Sequence, residues 1–289
     1  MPELPEVEVT RRRIEPLLVG RRVIRVRTTP DSYFFLTPPR QIQRGLLRRT
    51  VVRLERSGKY LVATLDNAGS LILHLGMSGQ LLCSGARSPR LLRASARIPD
   101  TAGAPFERDE HTHLEIHFED RGPAVLLRDV RKLGKCALRR PGETEPRLLR
   151  LGVDALAVNG SHLFAATRRR TIAIKSVLLD QKVLAGVGNI YADEALCRAG
   201  IRPARRASQL TRKNCQGLAE RIREVLRAAI EAGGSSIDDY VQPDGSDGSF
   251  AKTCWVYGRT GQPCRRCGRT IRRIVLQQRS AHYCPSCQR

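Results

Sequence analysis

Apolar side chains at Leu4, Val7, Ile14, Leu17 and Leu18, with Pro5 near the start and Gly20 just past the end, predict one amphipathic helix over residues 4–19. From Arg22 to about Arg128 the period shortens to alternation in "RVIRVR", "TVVRLER", "KYLVATLD", "SLILHL", "HLEIHFED" and "PAVLLRD", separated by Gly, Asp and Asn turns. Short strands so spaced predict a β-sandwich or barrel. Residues 84–110, "SGARSPRLLRASARIPDTAGAPFERDE", interrupt the run without a sustained period and read as an exposed, mobile loop.

From about Leu151 to Tyr240 the period is helical, in "TIAIKSVLLDQKVL", "NIYADEALCRAG" and "TRKNCQGLAERIREVLRAAIEAGG", and the Gly/Asp/Ser loop "QPDGSDGS" follows. There is no internal repeat. The expected fold class is α+β and multidomain: residues 1–150 a β-sandwich with an N-terminal helix, 151–240 a helical domain, and 241–289 a loop followed by a small hairpin.

Charge narrows the class of partner. Fifty-one Lys and Arg against 28 Asp and Glu leave a net charge of +23, and a field of that size favours a polyanion. The sequence shows no transmembrane run, no basic amphipathic tail and no secretory signal, so nucleic acid is preferred over a membrane surface. Five of the nine cysteines (Cys83, Cys136, Cys197, Cys215, Cys254) stand singly and far apart, which fits a reducing cytoplasm better than a disulfide framework.

The other four form "CRRCGRTIRRIVLQQRSAHYCPSC", two C-x2-C pairs separated by sixteen residues. Two tight turns of this kind each present two thiolates to one tetrahedral zinc ion, making Cys264, Cys267, Cys284 and Cys287 the expected ligands. Four sulfur ligands leave no position for water, so the ion is structural. The hairpin is rich in arginine, and no acidic residue occurs from Gly248 to the end, a composition suited to phosphate.

The opening "MPELPEVEVT" admits two readings. Pro near a helix start and Glu in its first turn are what any helix prefers. Alternatively, removal of Met1 leaves Pro2 as a secondary amine whose reference pKa of about 7.7 to 8.0 keeps a useful fraction unprotonated. Such an amine attacks an electrophilic sugar carbon to give an iminium ion, with Glu3 beside it to donate or relay a proton. In "EHTHLEIH", His111 and His113 are two apart on a predicted strand and with His117 resemble a metal site, though an ordinary strand face explains them as well.

"PELPEVE", "GKYL", "HLGMSG", "GVGNIYADEAL" and the four-cysteine finger together resemble the bacterial formamidopyrimidine-DNA glycosylase (8-oxoguanine DNA glycosylase) family. The likeness runs from Pro2 to the last residue, broken chiefly at 84–110. It implies a monomeric, bifunctional base-excision enzyme with one zinc ion. Such an enzyme flips an oxidised purine out of double-stranded DNA lying across a cleft between two halves, cuts its glycosidic bond, and nicks the backbone by β,δ-elimination.

On this resemblance Pro2 is the Schiff-base nucleophile and Glu3 the principal acid. Lys59 assists at the sugar and its phosphate, and Arg279 of the finger binds phosphates beside the lesion and helps the second elimination. "LAGVGNIYADEAL" is similar to the family's helix-two-turn-helix, where Gly186 and Gly188 permit a tight turn and Asn189 caps the next helix, facing a DNA phosphate. Arg170, Lys175 and His111 match further DNA contacts. Met77 matches a wedge residue that fills the stack behind the flipped base, and Arg131 the arginine that reads the widowed base. Where the family usually has "DPRRFG", Val130 replaces proline, Lys132 arginine and Leu133 the intercalating phenylalanine. "SSIDDYVQPDGSDGSF" takes the place of the flexible loop that closes over the base. Two other readings compete: the sister endonuclease VIII branch, acting on oxidised pyrimidines, and a catalytically idle DNA-binding paralogue.

Overall fold

Alternation builds two antiparallel four-stranded sheets in the computed structural model, which describes residues 2–88, 90–91, 105–106, 108–237 and 239–289. One sheet runs, in spatial order, β1 (Val23–Thr28), β6 (Thr112–Phe118), β7 (Val125–Asp129) and β5 (Gly79–Cys83). The other runs β2 (Val51–Ser57), β3 (Tyr60–Leu65), β4 (Ser70–His74) and β8 (Lys135–Arg139). In β3, Leu61, Ala63 and Leu65 are buried while the residues between them are half-exposed, so a one-residue slip against β4 would put the wrong set inside. Leu61, Leu73, Leu81, Leu114, Ile116 and Leu127 meet in one apolar core.

The helix α1 (Leu4–Leu18) touches β2 and β3 of one sheet and β5 and β7 of the other. It buries Leu4, Val7, Ile14 and Leu18, and also Glu6 and Glu8, so it is less amphipathic than its sequence predicts. Burial works to raise the Glu8 carboxyl pKa, but hydrogen bonds from Arg11 and Arg12 outweigh it and hold it below the usual carboxylate range.

All six predicted strands form, and the two sheets also contain β5 and β8, which alternation did not announce. Buried on both faces over four of its five residues, β5 has no polar side to alternate with. One of its faces packs against the described ends of the segment 84–110. Ala86, Leu91 and Phe106 are buried with Leu82, Leu126 and Val241 in a small second core, so the two ends of that segment are not exposed as expected. Residues 92–104 of the expected mobile loop lie outside the described residues. The helix α2 (Pro39–Leu46) and β8 lie together at the other sheet, held by a bridge between Phe35 and Cys136.

The chain groups into two units: Met1–Leu149 with Ala232–Ser249, and Arg150–Glu231 with Phe250–Arg289. Residues 232–249 thus belong with the sandwich, and the finger belongs with the helical region. The second unit is organised around the long helix α6 (Arg212–Glu231), whose buried Leu218, Ala219, Ile222, Val225, Leu226 and Ala229 keep a helical period. The helices α3 (Gly160–Thr167) and α5 (Asn189–Arg198) pack on it, and the short α4 (Ile174–Leu179) packs on α5. A short parallel pair, β9 (Val153–Asp154) and β10 (Leu184–Ala185), ties the start of this unit to the chain just before α5. The hairpin β11 (Arg272–Leu276) and β12 (Arg279–Tyr283) closes the chain, β12 lying on α5. No helix among the described residues is long and apolar enough to cross a membrane.

Candidate functional site

In the first unit the chain start is buried. Pro2 is buried and Glu3, the residue that caps α1, is 2% exposed. The Glu3 backbone N–H donates to Glu6 Oε2 at 2.8 Å, and Glu6 Oε1 accepts the Ser235 N–H, also at 2.8 Å. The Tyr240 hydroxyl donates to the Glu6 carbonyl at 3.3 Å. One buried carboxylate therefore joins the first helical turn to the segment at 235–240. Gly234 is in the left-handed region (φ +84), and a Cβ there would sit 3.1 Å from Glu6 Oε1. Glu6 escaped the sequence reading because its partner lies more than two hundred residues away.

Lys59, at the turn between β2 and β3, is buried at 7% exposure. It belongs to a cationic group that includes Lys135 and Arg147; burial first, then these charges, push His74 down to about 4. A lone surface cation at 59 is not what the fold makes.

Asp129, fully buried at the end of β7, organises the wedge region. It accepts hydrogen bonds from Ser78 Oγ (2.6 Å), the Gly134 N–H (2.6 Å) and the Arg131 N–H (3.3 Å). Two turns, 75–78 and 130–134, are drawn so close that a Cβ on Gly76 would lie 2.4 Å from the Gly134 nitrogen. They display Met77 half-buried, Arg131 half-exposed and Leu133 40% exposed. Leu133 thus stands exposed on a turn that Asp129 fixes from beneath.

The histidines do not make a metal group. His111 lies just before β6, partly exposed, with its N–H donating to Asp109 Oδ1. A bulge between Thr112 and Leu114 breaks the expected alternation. His113 turns fully into the protein, its Nε2 2.9 Å from the Asp129 carbonyl and its Nδ1 3.1 Å from Thr29 Oγ1. His117 pairs with Glu115 at 2.8 Å.

In the second unit, Cys264, Cys267, Cys284 and Cys287 bring their sulfurs within 4.8 Å of one another. Tetrahedral Zn–S bonds of about 2.3 Å require S···S edges of about 3.8 Å. The observed Cys267–Cys284 and Cys264–Cys287 separations are 3.5 and 4.0 Å, so the donor set fits one zinc ion. Among the described residues no other group of three or more His, Cys, Asp or Glu is arranged to hold a metal.

Arg279 opens β12 and is exposed, after a two-residue turn in which Gln277 (φ 46) and Gln278 (φ 62) are both left-handed. Together with Arg170, Lys175, Ser176 and Gln277 it lines a cleft of about 400 Å³. Two of the predicted DNA contacts, Arg170 and Arg279, thus face one cleft, with Lys175 in its wall. Lys175, expected as a surface contact, is fully buried: its Nζ is 2.6 Å from Asp193 Oδ1 and donates to the Ser280 carbonyl. Arg170 donates to Asp180 at 3.1 Å. Asn189 does not cap α5 as expected. The cap is Gly188, and Asn189 is the first helical residue, its Oδ1 buried with no hydrogen-bond partner.

Two acidic residues of "NIYADEAL" hold the finger. Asp193 Oδ2 accepts the His282 N–H at 2.8 Å, and Glu194 accepts the N–H groups of Trp255, Val256 and Tyr257 at 2.8 to 3.0 Å. Both carboxylates are fully buried. An acidic pair inside an otherwise apolar helix stretch was the available signal.

Comparisons with known proteins cover the whole chain. Residues 1–136 match the formamidopyrimidine-DNA glycosylase N-terminal domain, 151–241 its H2TH domain, and 261–289 a zinc finger found in FPG and IleRS. A formamidopyrimidine-DNA glycosylase of Cereibacter sphaeroides is 43% identical over 295 residues, spanning 100% of both chains. One of Burkholderia cenocepacia is 43% identical over 296 residues, with the same full coverage. Among solved structures, the MutM (FPG) protein of Thermus thermophilus superposes with a TM-score of 0.83 at 36% identity, over 99% of this chain and 98% of that one. A point mutant of the Lactococcus lactis FPG, in complex with Fapy-dG-containing DNA, gives 0.85 at 34% identity over 100% of both. On a fold, a finger and a full-length likeness that agree, this chain belongs to the formamidopyrimidine-DNA glycosylase family.

Proposed function

We propose that the protein excises oxidised purines, 8-oxoguanine and formamidopyrimidines, from duplex DNA and then cleaves the strand, with the N-terminal proline as its nucleophile. The observation that carries this reading is the burial of Pro2 and Glu3 together at the foot of α1. An ordinary helix start is wet, whereas an amine and a carboxyl group withdrawn from water suit nucleophile and acid.

With Met1 removed, the Pro2 nitrogen attacks C1′ of the damaged nucleotide. The glycosidic bond breaks and its electron pair leaves with the base; the Pro2 nitrogen loses its proton, the C1′–O4′ bond opens with Glu3 protonating O4′, and C1′ is left as an iminium cation on Pro2. The resulting iminium cation withdraws electrons, so loss of a C2′ proton expels the 3′-phosphate in β-elimination. A second elimination expels the 5′-phosphate, and water releases the sugar fragment from Pro2. Lys59 acts at the sugar and its phosphate, and Arg279 at the phosphates beside the lesion. Arg170 and Lys175 support the cleft that receives the backbone; Asn189 and His111 make further backbone contacts. Met77 and Leu133 fill the stack, and Arg131 reads the widowed base. Zinc holds the finger hairpin in shape and takes no part in the chemistry.

Borohydride trapping tests this on duplex DNA with a single 8-oxoguanine opposite cytosine. A covalent band in the wild type, lost in Pro2→Gly and sharply reduced in Glu3→Gln, is expected. The absence of a band on this duplex and on an abasic one, despite salt-sensitive binding, would leave only a zinc-stapled DNA-binding protein.

A further inference from the structure

The segment at 84–110 reads as a loop in the sequence, but its described ends make contacts that an idle loop would not. Where the chain leaves β5, the Cys83 N–H donates to the Pro243 carbonyl and the Arg87 N–H to the Asp244 carbonyl, both at 3.0 Å. Segment 243–244 is therefore bonded along the chain that follows β5. The approach is close: at Gly245 (φ +92) a Cβ would lie 2.2 Å from the Arg87 carbonyl oxygen. Val241 joins Leu82, Ala86, Leu91, Phe106 and Leu126 in the small second core, beneath these bonds.

Arg90 completes the contact. Its Nε donates to Asp247 Oδ1 at 2.9 Å, its Nη1 to the Ile237 carbonyl at 3.3 Å and its Nη2 to the Ser236 carbonyl at 3.2 Å. An exposed ion pair with Asp247 alone would hold little. The planar guanidinium fork, however, reaches both ends of the 236–247 loop at once, and a lysine cannot reproduce that geometry. A second route starts at Asp109, just before β6. Asp109 Oδ2 accepts from Arg128 Nε at 2.7 Å, Arg128 Nη1 donates to Gln80 Oε1 at 3.0 Å, and the Gln80 amide donates to the Asp239 carbonyl.

We infer that Arg90 is a positioning residue for base excision: through it, the chain that follows β5 holds the 236–247 loop in one arrangement before DNA binds. This rests on the reading in which that loop closes over the flipped base. A loop already ordered has less freedom to lose on closure, and it presents a pocket of defined shape to the base. Strand cleavage at a site that has already lost its base has no use for that pocket.

Arg90→Ala and Arg90→Lys in the full chain test the inference by two measurements. In the DNA-free protein, amide exchange across 234–249 accelerates about tenfold in both variants, with α1 unchanged. In single turnover, 8-oxoguanine release slows about tenfold while cleavage of a preformed abasic site stays within about twofold of wild type. Unchanged exchange overturns the inference. So does faster exchange with an unchanged ratio of the two rates, or an equal fall in both, since either reduces Arg90 to a structural tie. If the wild type cleaves neither duplex, the functional reading has failed, and the exchange result alone decides whether Arg90 holds the loop.

Discussion

The four-cysteine finger and the 235–249 loop share a difficulty, since neither carries enough apolar surface to hold itself, and they are held by opposite chemistry. The finger depends on concentrated charge: four thiolates for one ion, and the buried carboxylates of Asp193 and Glu194 gripping backbone N–H groups. The loop depends on dispersed contacts, a few backbone hydrogen bonds, Val241 in a small core, Arg90 and the single carboxylate of Glu6. A buried charge that loses its partner is costly, so the finger is all-or-nothing. Dispersed neutral bonds are lost one at a time, and a segment held by them can adjust to a ligand.

The largest effect separating the two is metal removal. Zinc contributes about 10 to 16 kcal/mol in isolated finger peptides, so a chelator, or Cys284→Ser, should unfold residues 261–289 outright. Trp255, packed against the cysteine cluster, reports it by fluorescence. DNA affinity should fall with it, with a shallower salt dependence as finger arginines cease to contact phosphate. Retention of the native Trp255 signal without zinc would remove the contrast with the loop.

Asp193→Asn comes next. It leaves Lys175 fully buried opposite a neutral amide, and loss of one partner of a buried pair costs about 3 to 5 kcal/mol. Urea unfolding followed through Trp255 should show a loss in that range. A loss below about 1 kcal/mol would mean that Lys175 is stabilised by the Ser280 carbonyl alone, and that the finger is less charge-dependent than the geometry implies.

The sandwich that carries the loop has its own charge sensitivity, at His74. Burial, then Lys59, Lys135 and Arg147, lower its pKa from 6.5 to about 4. The unfolded chain takes up this proton near 6.5 while the folded one resists until about 4, so the unfolded state is favoured as pH falls through that window. The contribution is nil above it and grows to about 3 kcal/mol of lost stability at its acid end. His74→Gln should flatten the difference in urea midpoint between about pH 7 and about pH 4.5; an unchanged difference would assign acid sensitivity elsewhere.

Legibility in the sequence follows the same division. Strands with one wet face alternate and were readable, as was the finger, because C-x2-C spacing is set by one ion's geometry. Doubly buried β5 has no polar face to betray it, and the ends of the segment 84–110 look like a loop because their apolar residues Ala86, Leu91 and Phe106 are scattered among arginines and prolines. Among the proposed site residues, Pro2 and Glu3 stand out through the opening motif, which does not reveal what holds them in place. Asn189 was expected to cap α5 because Asn is a favoured cap, yet the extended backbone of Gly188 takes that position. Glu6, Asp129 and Asp193 act on partners distant in sequence, which no local pattern encodes.

Glu6 carries the smallest predicted effect and the finest test of the contrast, because it brings a buried carboxylate to a loop otherwise anchored by neutral bonds and exposed ion pairs. Its two oxygens accept from Glu3 and Ser235, each at 2.8 Å. In Glu6→Gln one of those N–H groups must face an amide NH2, and a buried donor left unmade costs about 1 to 3 kcal/mol. If the loop is held by dispersed contacts, the loss should sit at the low end, because the Tyr240 hydroxyl still bonds the Glu6 backbone and Arg90 still bridges Ser236 and Ile237. Amide exchange should then quicken at Ser235 and its immediate neighbours while residues 241–247 remain protected. Should the whole of 235–249 open together in this variant, the loop would be as all-or-nothing as the finger, with Glu6 in the part that Asp193 plays there.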